Sequence, residues 1–290
     1  MHPEGPIGIF DSGVGGLSVW REIVRELPTE DTIYFADQTH VPYGPRPREE
    51  VARYSEAITH FLLARGCKAI VVACNTASAA ALKALRACFP EVITVGMEPA
   101  IKPAVALTRS GVVGVLATPA TFEGRMFQET ARRHATGIKL ITQGCAGLAE
   151  RIEAGYLDDD ATRQMLRAYL APTMAAGADV FVLACTHYPL VSTVIREIVG
   201  SDCQIVDPAP AVARYVGTRL REHGLQARRA HAGRARFYTS GSSREFATAL
   251  SRLMGIQGEP QAVRWREDAT IIDLIGQPQT APCPLALKVC

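Results

Sequence analysis

The chain has 290 residues, room for about two domains at ~150 residues each. A 48% hydrophobic content excludes a disordered chain, and 31 basic against 29 acidic residues (net charge +2) exclude strong bulk attraction to nucleic acid or an anionic membrane. Its longest apolar stretches, such as Ala69–Ala73 and Val180–Ala184, fall far short of the ~20 residues of a membrane span. The opening MHPEGPIGIF lacks a basic start followed by an apolar run, so a cytoplasmic protein is expected.

In chain order, Ile7–Asp11 reads as a strand, followed by a Gly-rich loop and a helix over Leu17–Leu27. A long helix follows at about Arg48–Arg65, then an apolar strand ending at Cys74, then a helix over Ser78–Cys88. The same rhythm returns: a strand near Val113, a helix over Glu123–His134, a long helix over Asp159–Ala176, a strand ending at Cys185 and a helix over Leu190–Val199. Pro172 inside the second long helix predicts a kink or break. Arg236–Ser240 reads as a strand and Arg244–Met254 as a helix. The Pro-rich stretch from Gln277 has no period and reads as a tail.

This rhythm is an internal repeat. Gly66–Cys74 followed by Asn75-Thr76 matches Gly177–Cys185 followed by Thr186-His187, with equal glycine-to-cysteine spacing. Ile7–Ser12 matches Val113–Thr118, and Glu98-Pro99-Ala100 matches Asp207-Pro208-Ala209, in the same order. Continuous apolar strands bounded by helices imply parallel sheets covered on both faces. The expected fold is therefore α/β, with two pseudo-symmetric lobes. The chain crosses between them at the Pro-containing junctions Glu98–Pro103 and Asp207–Pro210. The first lobe is expected to take residues 1–97 plus 210–290, and the second residues 98–209.

Eight cysteines, at 67, 74, 88, 145, 185, 203, 283 and 290, include no CxxC pair, which argues against a disulfide framework or a zinc ribbon. The plain role of a cysteine in such a chain is that of a small buried apolar residue. Cys74 and Cys185 escape it. Each ends a strand at the edge where parallel α/β sheets bind ligands, and each is expected to precede a helix N-terminus that stabilises a thiolate. Facing each other across a cleft, two such groups suit one reaction: one removes a proton from a carbon acid, and the other delivers a proton to the opposite face. Asp11 and Ser12 lead into a Gly13-Gly15-Gly16 bend whose backbone N–H groups are expected to be free for a carboxylate. That bend lacks the third glycine of a dinucleotide site, and no phosphate loop is present. Asn75, Thr76 and Thr186 can bind a carboxylate or an ammonium, and the two threonines can equally cap helices.

ValValAlaCysAsnThrAlaSer (71–78) and ValLeuAlaCysThrHisTyrProLeu (182–190) resemble the two cysteine signatures of the aspartate/glutamate racemases. IGIFDSGVGGLSV (7–19), YFADQTHVPYGPR (34–46) and YTSG (238–241) resemble the glutamate-specific members in particular. The resemblance implies two flavodoxin-like lobes with the active site between them and cofactor-independent, metal-free interconversion of L- and D-glutamate, the latter for peptidoglycan. Carried over by position, Cys74 and Cys185 match the acid/base pair, and Asp11, His187 and Glu153 match residues that assist the thiols. Asp11-Ser12, Tyr43-Gly44, Asn75-Thr76 and Thr186-His187 match substrate-binding pairs. Without the family, Glu153 reads as a solvated helix residue and Tyr43 as a turn aromatic. The expected partners are glutamate and a second copy of the chain, with neither nucleic acid nor membrane. The precursor-activated members tend to carry an N-terminal extension, so no activator is expected where the first strand begins almost at once. Racemisation of aspartate or a hydantoin, a cysteine-nucleophile hydrolase and a two-lobed binding protein are the competing readings.

Overall fold

Alternating strands and helices carry the chain through two sheets in the computed structural model, which describes residues 1–266 and 272–274. The first sheet grows from β1 (Ile7–Asp11), α1 (Leu17–Glu26), β2 (Thr32–Ala36), α2 (Arg48–Leu63), β3 (Ala69–Val72), α3 (Asn75–Cys88) and β4 (Ile93–Gly96). The second follows with α4 (Ile101–Leu107), β5 (Val112–Ala117), α5 (Pro119–Glu123), α6 (Arg125–His134), β6 (Lys139–Gly144), α7 (Leu148–Glu153) and α8 (Asp160–Ala175). It is completed by β7 (Val180–Leu183), a 3₁₀ turn at Tyr188–Val191, α9 (Ser192–Val199) and β8 (Gln204–Val206). The chain then runs through α10 (Ala209–Glu222), β9 (Ala235–Thr239), α11 (Ser243–Met254), β10 (Gln261–Trp265) and β11 (Ile272–Leu274).

The repeat reappears as topology. The larger sheet contains the order β2-β1-β3-β4 and the smaller one β6-β5-β7-β8, and within these two four-strand runs every pairing is parallel. In each, the strand before a cysteine (β3, β7) lies directly beside the lobe's opening strand (β1, β5). The turn glycines ahead of the two cysteine strands, Gly66 and Gly177, both take left-handed backbone (φ +78° and +82°). After the smaller sheet is complete, β9 pairs with β2 and β10 with β9, extending the larger sheet, and β11 pairs antiparallel with β10.

Alternate residues of the central strands feed opposite faces, as the two-residue strand period requires. Ile7 and Ile9 pack with Leu17, Val212 and Phe246 of α1, α10 and α11, whereas Phe10 packs with Ile58 and Leu82 of α2 and α3. In the smaller lobe Val113 and Val115 meet Ile101 and Phe127, and Leu116 meets Leu166 and Ile195. Each such side chain contributes roughly 1.5–3 kcal/mol on burial. Among the described residues no helix is long and apolar enough to cross a membrane.

Three boundaries differ from expectation. α3 begins at Asn75 instead of Ser78, because the Cys74 sulfur itself serves as the N-cap, accepting from the Ala77 N–H at 3.4 Å. Gly124 splits the expected helix over Glu123–His134 into α5 and α6. α8 runs through Pro172 for a further three residues without a break, placing the proline in the last turn. The unpunctuated strand β10 carried no recognised signal. The tail from Gln277, with Cys283 and Cys290, lies outside the described residues. Cys67 and Cys145 keep the expected packing role as buried free thiols, whereas Cys88 is disulfide-bonded.

The strand-start pole of the larger sheet, opposite the cysteines, is fixed by a buried ion pair. Lys68 Nζ lies 2.5 Å from Glu30 Oε2 and also donates to the Pro3 carbonyl, and Glu30 Oε1 accepts from the Ala227 N–H at 2.8 Å. Removing one partner of such a pair strands a charge away from water. Lys68→Met is therefore expected to lower unfolding free energy by about 3–5 kcal/mol. Lys68→Met with Glu30→Gln should lose less, and both variants should keep the wild-type activity per folded molecule. Urea denaturation followed by circular dichroism measures the two losses.

Candidate active site

Cys74 follows β3 and Cys185 follows β7, so equivalent strands of the two sheets deliver the two sulfurs to one pocket. This narrow pocket is lined by Ser12, Tyr43, Gly44, Cys74, Asn75, Thr76, Cys185, Thr186 and His187 among the expected residues. Val41, Pro42, Thr118, Thr121 and Ala149 complete the lining. Asp11 and Glu153 stand behind this wall. Asp11 is fully buried, and the Glu153 side chain is 11% exposed, which replaces the solvated-face reading of that residue.

The Gly-rich loop between β1 and α1 is the hinge of the arrangement. Asp11 Oδ2 accepts from the Gly16 N–H at 2.7 Å and more weakly from Gly13 at 3.4 Å. The Val14 N–H donates instead to Glu153 Oε1 of the other lobe at 2.6 Å. These amides are thus committed to protein carboxylates, and the expectation that they are free for a substrate carboxylate is corrected. Glycine is required here by close approach. A Cβ on Gly13 would stand 1.9 Å from Glu153 Oε1, and one on Gly15 would stand 2.5 Å from His187 Nδ1. Tyr34, fully buried beneath the loop, donates to the Gly13 carbonyl at 2.7 Å.

The two thiols sit in unlike surroundings. Cys74 caps a fourteen-residue helix, yet burial pushes its thiol well above the usual range, the Asp11 carboxylate and a charge on Cys185 push the same way, and the Ala77 N–H only partly offsets them. Helix-terminus stabilisation of a thiolate, expected from the sequence, is outweighed here by desolvation. Cys185 has no α-helix N-terminus beside it, because Pro189 lies in the 3₁₀ turn that precedes α9. Its partner is His187, whose Nδ1 lies 3.8 Å from the sulfur and whose Nε2 lies 2.6 Å from Glu153 Oε1. Burial alone would lower the imidazole, but the bonds to Cys185 and Glu153 outweigh it and raise His187 well above its ordinary value. Burial raises Asp11 to about 6 against the opposing charge of His187 and the Gly16 N–H.

Neither threonine acts as the helix cap it resembled. Thr76 lies inside α3 with its Oγ1 3.3 Å from Thr118 Oγ1, and the Thr186 carbonyl accepts from Ser18 Oγ at 2.9 Å. Thr118 and Thr121, joined at 3.0 Å, were not singled out from the sequence, although Thr118 is the repeat mate of Ser12 and that pairing pointed to it. Asp37 was also missed. It is fully buried and accepts from Tyr43 Oη at 2.6 Å and from Ser240 Oγ and Trp265 Nε1, both at 2.7 Å, fixing the tyrosine that walls the pocket. Buried side-chain atoms without a hydrogen-bond partner include Asp11 Oδ1 and both polar atoms of Asn75, so acceptor and donor capacity remains beside the thiols.

Residues 7–216 match the Asp/Glu/Hydantoin racemase family. A glutamate racemase from Roseiflexus sp. (strain RS-1) is 49% identical over 249 residues, 86% of this chain and 92% of the relative. The crystal structure of glutamate racemase isoform RacE1 from Bacillus anthracis superposes with a TM-score of 0.84 at 34% identity, covering 93% of this chain and all of that one. Escherichia coli glutamate racemase, solved with L-glutamate and the activator UDP-MurNAc-ala, gives 0.77 at 32% identity, covering 88% and 97%. By sequence and by two-lobed fold, the chain belongs to the Asp/Glu/Hydantoin racemase family.

Proposed function

We propose that this protein interconverts L- and D-glutamate without a cofactor, by proton transfer between Cys74 and Cys185. The observation that carries the reading is the delivery of two buried cysteines, one from each lobe, to a single pocket beside unpartnered polar atoms of Asp11 and Asn75. The relatives named above are glutamate racemases, which selects the amino acid.

A racemase must remove a weakly acidic α-proton and return one to the opposite face. With the substrate between the thiols, one sulfur takes the proton as thiolate and the other donates its own, so two sulfurs exchange roles between directions. The charge pattern disfavours two thiolates together, since a charge on Cys185 pushes Cys74 up, and a one-thiol, one-thiolate pair is what the relay needs. His187, held protonated, sets a proton and a positive charge beside Cys185. Asp11, with an open acceptor oxygen, receives the substrate ammonium, which at the same time compensates a carboxylate that burial destabilises. Asn75, Thr76, Ser12 and Thr186 donate to the carboxylate ends, and Tyr43-Gly44 close the wall. The D-glutamate formed would serve peptidoglycan synthesis in the cytoplasm, as the resemblance implies.

The test is incubation of purified protein with L-glutamate in deuterated water, following optical rotation and α-carbon exchange. Wild type should racemise glutamate with solvent deuterium incorporation, and Cys74→Ser and Cys185→Ser should each lose on the order of 10²–10⁴-fold in rate. Full racemisation by either single variant defeats the two-thiol mechanism. Formation of D-aspartate in parallel assays, with D-glutamate absent, defeats the substrate assignment.

A second expectation follows from Asp11. Its folded value of about 6 lies above the usual 3.8, so the folded state binds the proton more tightly than the unfolded state between those values. Its contribution to stability is therefore fully present below the unfolded value and lost as pH rises through 6. A rise of that size corresponds to about 3 kcal/mol. Asp11→Asn is expected to stabilise the substrate-free protein by up to that amount at pH 7.5, to match wild type near pH 4, and to lose most racemase activity. Thermal melts across this pH range check the sign.

A further inference from the structure

The parts assigned to Cys185 are not completed by its own lobe. Glu153, which holds His187 at 2.6 Å, takes its second short bond on the same oxygen from the Val14 N–H of the lobe that carries Cys74. A second contact reinforces the first. Ser18, fully buried in the second helical position of α1, has its hydroxyl 2.9 Å from the Thr186 carbonyl, the residue between Cys185 and His187, and 2.8 Å from the Gly15 carbonyl. The absent Cβ of Gly15 leaves the room that the His187 ring occupies. At the far end of α7, Gly155 lies so close to the Arg252 guanidinium of α11 that a Cβ would stand 1.9 Å from Nη1. The loop and first turn of α1 on the larger sheet therefore contact both Glu153 and the turn that carries His187.

We propose that Ser18 and Gly15 are positioning residues for Cys185. By this reading, which rests on the two-thiol function above, the first lobe sets the proton-transfer competence of the second lobe's thiol. Ser18 touches neither sulfur. It holds the Thr186 carbonyl, and thereby the turn that aims His187 at Cys185. Loss of the hydroxyl leaves a buried carbonyl without that donor and frees the turn. Cys74 depends on α3 and Asp11 and makes no hydrogen bond to this turn, so the effect falls on one thiol.

A substrate analogue separates the thiols. In glutamate bearing chloride on Cβ, a thiolate takes the α-proton, the C–H electron pair forms the C=C bond, and chloride leaves with the C–Cl pair. The resulting enamine is protonated to an imine, which water hydrolyses to 2-oxoglutarate and ammonium. No proton is delivered to the opposite face, so each enantiomer reports one thiol. Cys74→Ser and Cys185→Ser should each abolish elimination from a different enantiomer. Ser18→Ala should slow the enantiomer that Cys185→Ser fails to process by about 10- to 100-fold and leave the other within about twofold. Gly15→Ala, which presses a methyl against the His187 ring, should show the same handedness, and it keeps the test open if Ser18→Ala folds poorly. Equal losses for both enantiomers, or none, would overturn the positioning role while the two-thiol reading stands. If the cysteine variants themselves fail to divide the enantiomers, the two-thiol reading falls and takes the positioning role with it.

Discussion

Five ionisable side chains, Cys74, Cys185 and His187 in one narrow pocket with Asp11 and Glu153 directly behind its wall, are buried between two apolar lobes, and this burial constrains the surrounding structure. Water cannot screen them, so each charge needs a partner or a proton. Glu153 finds His187 and an amide, His187 finds Glu153 and a sulfur, and Asp11 finds the amides of its own loop. The Gly-rich bend exists because these partners must approach closer than a side chain permits. Cys74 and one Asp11 oxygen are left incompletely compensated, and the strain of that state is electrostatic, recorded as the raised proton affinity of both groups. In the proposed reaction a substrate ammonium beside Asp11 would relieve it.

Much of the scaffold was legible because strands buried on both faces leave a strong trace. The runs ending at Cys74 and Cys185 are apolar at every position, and their equal spacing from Gly66 and Gly177 pointed to a repeat that returns as the shared 2-1-3-4 strand order. Boundaries were less legible where tertiary contacts decide them. Cysteine is not among the usual N-caps, so the start of α3 at Asn75 had no signal. Strand β10, QAVRW, alternates weakly at the sheet's flank and is recognisable only through its pairing with β9.

The site was legible where it is local and obscure where it is assembled from distance. Asp11-Ser12, Asn75-Thr76 and Thr186-His187 flank strand ends, and strand ends in parallel sheets point to a ligand. Glu153, on a short helix 34 residues before His187, was identified by resemblance alone, since nothing in its neighbours marks a buried carboxylate. Asp37 gathers Tyr43, Ser240 and Trp265 from separations of 6, 203 and 228 residues, and no sequence spacing encodes such a convergence. The loop amides were misassigned for a related reason. Their availability depended on whether Glu153 arrived from the other lobe.

The repeat placed two thiols symmetrically, and the structure then supports them by different means. One is a helix cap beside a buried carboxylate, and the other sits on a turn beside an imidazole backed by a carboxylate, which raises the imidazole's proton affinity. Racemisation requires two groups on opposite faces of one carbon whose proton affinities match well enough for each to serve as acid and base in turn. It does not require that the affinities be reached identically. Once a duplicated strand had fixed where the sulfurs lie, the residues around them diverged. The mate of Asn75 could become Thr186, and that of Thr76 could become His187. Such divergence makes the two lobes interdependent, because the loop of one must leave room for the histidine of the other. The glycines at 13 and 15 are where that dependence is written into the backbone.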